Sequence, residues 1–151
     1  MPVSPIPDGY HSLTPYLIVD NATRALSWYA DALGATEVMR LSAPNGRIGH
    51  AELQIGDSRI MLADEHPEIG AKAPGAFGGS PISLHLYVPD VDAAVAKAES
   101  TGGTVKQRPE TKFYGDRMGT VADPFGHIWH LATHVEDVPH DEIQRRMAAQ
   151  T

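Results

Sequence analysis

The sequence predicts an α+β chain built from two βαβββ units, and three observations predict it. Slid by 69 positions, residues 17–26 lie over residues 86–95 without a gap, and Gly34 falls on Gly103. Each copy opens on a short segment that alternates polar and apolar residues, the period of a half-buried strand. Each then carries an apolar stripe at helical spacing that ends at glycine.

In the first copy, residues 14–19 are the strand. Ala22, Ala25, Leu26, Tyr29 and Leu33 form one helical face, Asp20 or Asn21 caps its start, and Gly34 suits a left-handed stop. Three strands follow, over residues 36–42, 47–55 and 58–63. Asn45-Gly46 is a hairpin signal, and Gly56-Asp57 makes the next turn. Unit one therefore spans about residues 11–65, after an extended arm over residues 1–10. A Gly-, Pro- and Ala-rich stretch, about residues 66–80, reads as a linker or a loop over a site.

Unit two covers about residues 81–135. Its strand is 83–88 and its helix stripe is Val91, Ala94, Val95 and Ala98, with Gly102-Gly103 as the stop. Strands over 104–107, 117–122 and 127–134 follow, the last two joined by the turn Asp123-Pro124-Phe125-Gly126. A closing helix, about residues 139–149, has Asp141 and Glu142 in its first turn and Arg145-Arg146 near its end, as the helix dipole prefers. All of this is read as a single domain over residues 1–151.

Composition removes several function classes. The chain has 151 residues, 42% of them hydrophobic, enough for a packed core. No run approaches the roughly 20 apolar residues of a membrane span, and no secretory signal opens the chain, so cytoplasm is the expected compartment. With no cysteine there is no disulfide, thiolate site or cysteine nucleophile. A net charge of -7, with Arg145-Arg146 the only basic pair, argues against nucleic acid as a partner. Residues 75–80 lack the lysine of a phosphate loop, and no GxSxG elbow is present.

Strand parity separates the two faces of each sheet. If the apolar set packs on the helices, the alternate set lies on the open face. On the first, third and fourth strands of unit one that set is Thr14, Tyr16, Ile18, then His50, Glu52, Gln54, then Arg59, Met61, Ala63. In unit two it is Ser83, His85, Tyr87, then Ile128, His130, Ala132 and His134. A few polar groups among apolar ones is what a small-molecule pocket requires. Trp129 falls on the helix side and reads as core. Arg117 could clamp an anion with Asp116 orienting it, or the two could form a structural pair.

The strings LTPYLIVDNA (13–22), GRIGHAELQIGDSRIMLADE (46–65), GGSPISLHLYVPDVDA (78–93), FYGDR (113–117) and DPFGHIWHLATHVEDV (123–138) resemble the vicinal oxygen chelate superfamily, in its PhnB-like branch. That superfamily holds glyoxalases, bleomycin-resistance proteins and extradiol dioxygenases. The resemblance implies two βαβββ units curled into an open, barrel-like concave sheet, a small-molecule ligand on the concave side, and a homodimer. It also implies one metal ion, held from the first and last strands of each unit. Those positions fall on Thr14, Met61, Ser83 and His130, a set that is poor for a divalent ion. No cofactor is therefore expected.

The expected function is metal-independent binding or sequestration of a small organic molecule. The expected ligand contacts are Tyr16, Glu52, Met61, Ser83, His85, Tyr87, Arg117 and His130. Two alternatives stay open. One is a metal-dependent lyase, isomerase or dioxygenase with a rearranged site from His85, His130 and Glu52. The other is metal-free acid–base catalysis by His85 and His130, which the family pattern places on neighbouring strands.

Overall fold

The computed structural model describes residues 2–150, and its backbone divides into two units that meet between Gly79 and Ser80. Unit 1 runs β1 (Tyr16–Val19), α1 (Ala22–Leu33), β2 (Thr36–Ser42), β3 (Ile48–Ile55) and β4 (Ser58–Asp64). Unit 2 runs β5 (Ser83–Tyr87), α2 (Val91–Ser100), β6 (Thr104–Thr111), β7 (Asp116–Ala122), β8 (Ile128–His134) and α3 (His140–Ala148). Each unit holds one four-stranded sheet, ordered β1-β4-β3-β2 and β5-β8-β7-β6. The first and last strands of each unit pair in parallel, and the other pairs are antiparallel.

The repeat holds to the residue. Tyr16 lies opposite Met61 in unit 1, and His85 opposite His130 in unit 2, at the same offset of 69 that the sequence shows. Leu17, Val19, Ala51, Leu53, Ile60 and Leu62 turn to the buried side with Ala25, Leu26 and Tyr29 of α1. Asn21 caps α1 by accepting from the Arg24 N–H at 3.1 Å, and Gly34 closes it with φ 70°. The buried face of α1 also takes in Trp28 and Ala32, while Leu33 is half-buried.

Several boundaries move from the expected ones. β1 starts at Tyr16, because Pro15 has no N–H to give, although its carbonyl still accepts from Met61 N–H at 2.9 Å. β6 runs on to Thr111, past Pro109, which an edge strand tolerates. β7 starts one residue earlier, at Asp116. The stretch read as a linker carries two 3-10 turns, Pro67–Ile69 and Pro74–Phe77, and belongs to unit 1.

In each unit one side chain at the end of the last strand ties the start of the helix to the sheet and makes a second hydrogen bond to a neighbouring backbone group. In unit 1 the Asp64 carboxylate accepts from Ala22 N–H at 2.8 Å and from Ile48 N–H at 2.7 Å. In unit 2 the matching residue, Thr133, accepts from Val91 N–H at 2.9 Å and donates to the Val88 carbonyl at 2.8 Å. Asp123 closes its turn by accepting from Phe125 N–H, His127 N–H and the indole N–H of Trp129, which is 2% exposed. Gly115 has φ 104°, and a Cβ there would collide with the Glu136 carbonyl, so only glycine serves.

Candidate functional site

On the open face of unit 1, β1 and β3 build a chain of hydrogen-bonded side chains. The Tyr16 hydroxyl lies 2.8 Å from His50 Nδ1, and His50 Nε2 lies 2.7 Å from Glu52 Oε2. The other carboxylate oxygen, Oε1, accepts from the Tyr10 hydroxyl. Tyr10 comes from the N-terminal arm, and the Arg59 guanidinium sits over its ring at 5.1 Å. Arg59 also donates to Gln54. Hydrogen bonds from Tyr10 first and His50 second hold the Glu52 carboxyl below its usual range. Burial, then the Glu52 charge, raise the Tyr16 phenol above its usual value.

Beside this chain is a cavity of about 370 Å³. Ile18, Ile48, Ala63 and Ile69 give it apolar walls, and Tyr16, Asn45, Arg47, Asp64, Glu65 and His66 add polar groups. Its rim is the β2–β3 hairpin and the segment after β4. Hydrogen bonds from Gly46 N–H to the Ala43 carbonyl and from His66 N–H to the Ala71 carbonyl shape the two rims. The Glu65 carboxylate accepts from Ala73 N–H at 2.9 Å and pins the second. The loop signal in the linker composition pointed to this segment. Nothing in strand parity pointed to Asn45, Arg47 or His66.

Unit 2 carries different chemistry on its open face. The His85 and His130 rings stand 6.0 Å apart, and the Tyr87 ring is 5.0 Å from that of His85. His130 Nδ1 lies 2.8 Å from the Thr120 hydroxyl. Burial, and then the nearby His85, hold His130 below the usual histidine value. Asp116 accepts from the Tyr87 hydroxyl at 2.8 Å and pairs with His134 Nδ1 at 2.7 Å.

Arg117 lies elsewhere. It meets Asp92 of α2 with two hydrogen bonds, at 2.8 and 2.9 Å, on the helix side of β7. The pairing of Arg117 with Asp116 is thus replaced. Successive strand residues face opposite ways, and Asp116 takes the open face. Tyr16, Glu52 and Met61 share the open face of unit 1, and Ser83, His85, Tyr87 and His130 that of unit 2. Ser83 is exposed at the start of β5.

The donor set at the four positions that the resemblance implies for a metal does not fit a divalent ion. Unit 1 offers the Thr14 hydroxyl and the Met61 thioether. Unit 2 offers the Ser83 hydroxyl and one imidazole, His130, whose Nδ1 is engaged by Thr120. Neutral hydroxyls and a thioether are weak ligands for hard or borderline divalent ions, and one imidazole is too few. Among the described residues no group of three or more His, Asp or Glu side chains is placed to hold a metal.

A two-sheet α+β chain of repeated βαβββ units with this site is a glyoxalase-fold protein. The family model described as Glyoxalase/Bleomycin resistance protein/Dioxygenase superfamily matches residues 10–131, and the chain belongs to that superfamily. It is 43% identical over 142 residues to the uncharacterized protein Rv0887c of Mycobacterium tuberculosis, covering 92% of this chain and 84% of that one. The solved structure of PA1353 from Pseudomonas aeruginosa superposes with TM-score 0.66 at 25% identity, covering 83% of this chain and 99% of that one. A PhnB protein from Bacillus cereus shares the fold, with TM-score 0.63 at 17% identity over 82% of this chain and 99% of its own. No helix among the described residues is long and apolar enough to cross a membrane.

Proposed function

We propose that the chain binds a small organic molecule on its open sheet faces and needs no resident metal to do so. The cavity of about 370 Å³ in unit 1 carries this reading. Its size lies within the range of small-molecule pockets, and apolar walls edged by polar groups are the pattern that gives affinity and orientation together. The poor donor set at Thr14, Met61, Ser83 and His130 supports the metal-independent part. Tyr16, Glu52 and Met61 are the contacts proposed in unit 1, and Ser83, His85, Tyr87 and His130 those in unit 2. Arg117, spent on Asp92, is left out. The reading also takes the chain to be a cytoplasmic homodimer, which sedimentation and cell fractionation would check.

The test is a thermal-shift panel of organic acids, phenols, amines and neutral aromatics on full-length protein in excess chelator. Binders raise the unfolding temperature by mass action. The reading expects one or more classes to do so equally well with and without chelator. Stabilisation that appears only after a divalent ion is added would overturn it.

A further inference from the structure

We propose that the unit 1 cavity takes an organic anion that also carries a hydrogen-bond donor, namely a phenolic carboxylate. The inference rests on the binding reading above and specifies its ligand. It follows from the direction in which protons must point. Glu52 is a carboxylate and can only accept. Its Oε1 takes the Tyr10 hydroxyl proton, so its Oε2 must take a proton from His50 Nε2, 2.7 Å away. A neutral imidazole has one N–H, which leaves His50 Nδ1 as an acceptor. The Tyr16 hydroxyl, 2.8 Å from Nδ1, donates to it.

Tyr16 has one hydroxyl proton, and His50 holds it. Its oxygen therefore offers only lone pairs to a ligand in the cavity. A ligand hydroxyl can donate to it, whereas an ether oxygen cannot. Arg47 is the complement. Its guanidinium is half-exposed, and its ionic neighbour Asp64 stands 3.7 Å away, beyond hydrogen-bond distance. Asp64 already accepts from two backbone N–H groups, so the Arg47 donors have no hydrogen bond among the described residues. A carboxylate matches that fork of donors. The apolar walls between accept an aromatic body. The other charged and titratable groups facing these residues are Arg59 and Tyr10 beside Glu52, and Glu65 and His66 at the rim.

Calorimetric titration of the full chain, in chelator at about pH 8 where an ordinary histidine is neutral, tests the assignment. The probes are para-hydroxycinnamate, its para-methoxy analogue and its methyl ester. The free acid with its hydroxyl should bind, and the ether and the ester should each bind about tenfold more weakly. Tyr16→Phe should abolish the hydroxyl-over-ether preference, and Arg47→Met the acid-over-ester preference. His50→Phe is the discriminating variant. It removes the acceptor that holds the Tyr16 proton. That frees the proton, and the ether should regain affinity relative to the phenol. A merely structural His50 would weaken both probes alike. An ether that binds wild type as tightly as the phenol, or a His50→Phe preference equal to wild type, would overturn the inference. If no cinnamate binds while other organic molecules raise the unfolding temperature, the phenolic carboxylate fails and the binding reading stands. If nothing in the panel binds, both fail.

Discussion

At matched positions the two units carry different side chains on the same backbone. Tyr16 beside Met61 becomes His85 beside His130. The sharpest residue-scale consequence lies at the end of β8. Burial pushes Asp116 up, but hydrogen bonds from His134 and Tyr87 outweigh it and hold the carboxyl below its usual value. His134 is raised above its ordinary 6.5 by its hydrogen bonds to Asp116 and then Asp137. The signs follow by linkage. The His134 contribution is fully present below the ordinary histidine value and is lost as pH rises through the raised one. The Asp116 contribution is present above the ordinary carboxylate value and is lost as pH falls through the lowered one. The pair is therefore strongest between about pH 4 and about pH 6.5. His130, shifted down, acts in the opposite sense, so a single melting curve mixes the two. The gap in unfolding temperature between the chain and His134→Gln isolates the pair. It should widen as pH is lowered from about 8 to about 6. A gap that stays constant across that range would contradict the assignment.

Elements are held to each other by polar ties that periodicity does not reveal. Asp64 ends β4 and reads in sequence as an acid entering a loop, yet it is 9% exposed and serves the start of both α1 and β3. Asp64→Ala strands two buried N–H groups and should cost about 1–3 kcal/mol. Thr133→Val removes the matching tie in unit 2 and should cost about 1 kcal/mol. Denaturant unfolding measures both, and equal losses would break the proposed ranking. Strand parity made the open face of β3 legible, because Ala51, Leu53 and Ile55 are apolar and His50, Glu52 and Gln54 alternate with them. It could not reveal Tyr10, whose arm has no period, or the rim residues Asn45, Arg47 and His66, whose placement depends on loop closure. Parity was not applied to β7, where Asp116 takes the open face and Arg117 meets Asp92 on the helix side.

For the whole molecule, the repeat and the superfamily match fix the architecture without fixing the chemistry, since one fold hosts binding, isomerisation and oxidation. The resemblance puts the superfamily's metal positions at Thr14, Met61, Ser83 and His130. A hydroxyl and a thioether in unit 1, and a hydroxyl and a single imidazole in unit 2, favour a ligand held by hydrogen bonds and apolar contact. His85→Ala should accordingly weaken a ligand seated on unit 2 without changing metal content, as titration calorimetry and elemental analysis together would show. The most direct measurement is elemental analysis of untagged protein purified from metal-supplemented medium. Metal well below one equivalent per chain is the result predicted here. Near-stoichiometric zinc, nickel, manganese or iron that disappears in His130→Ala would contradict it.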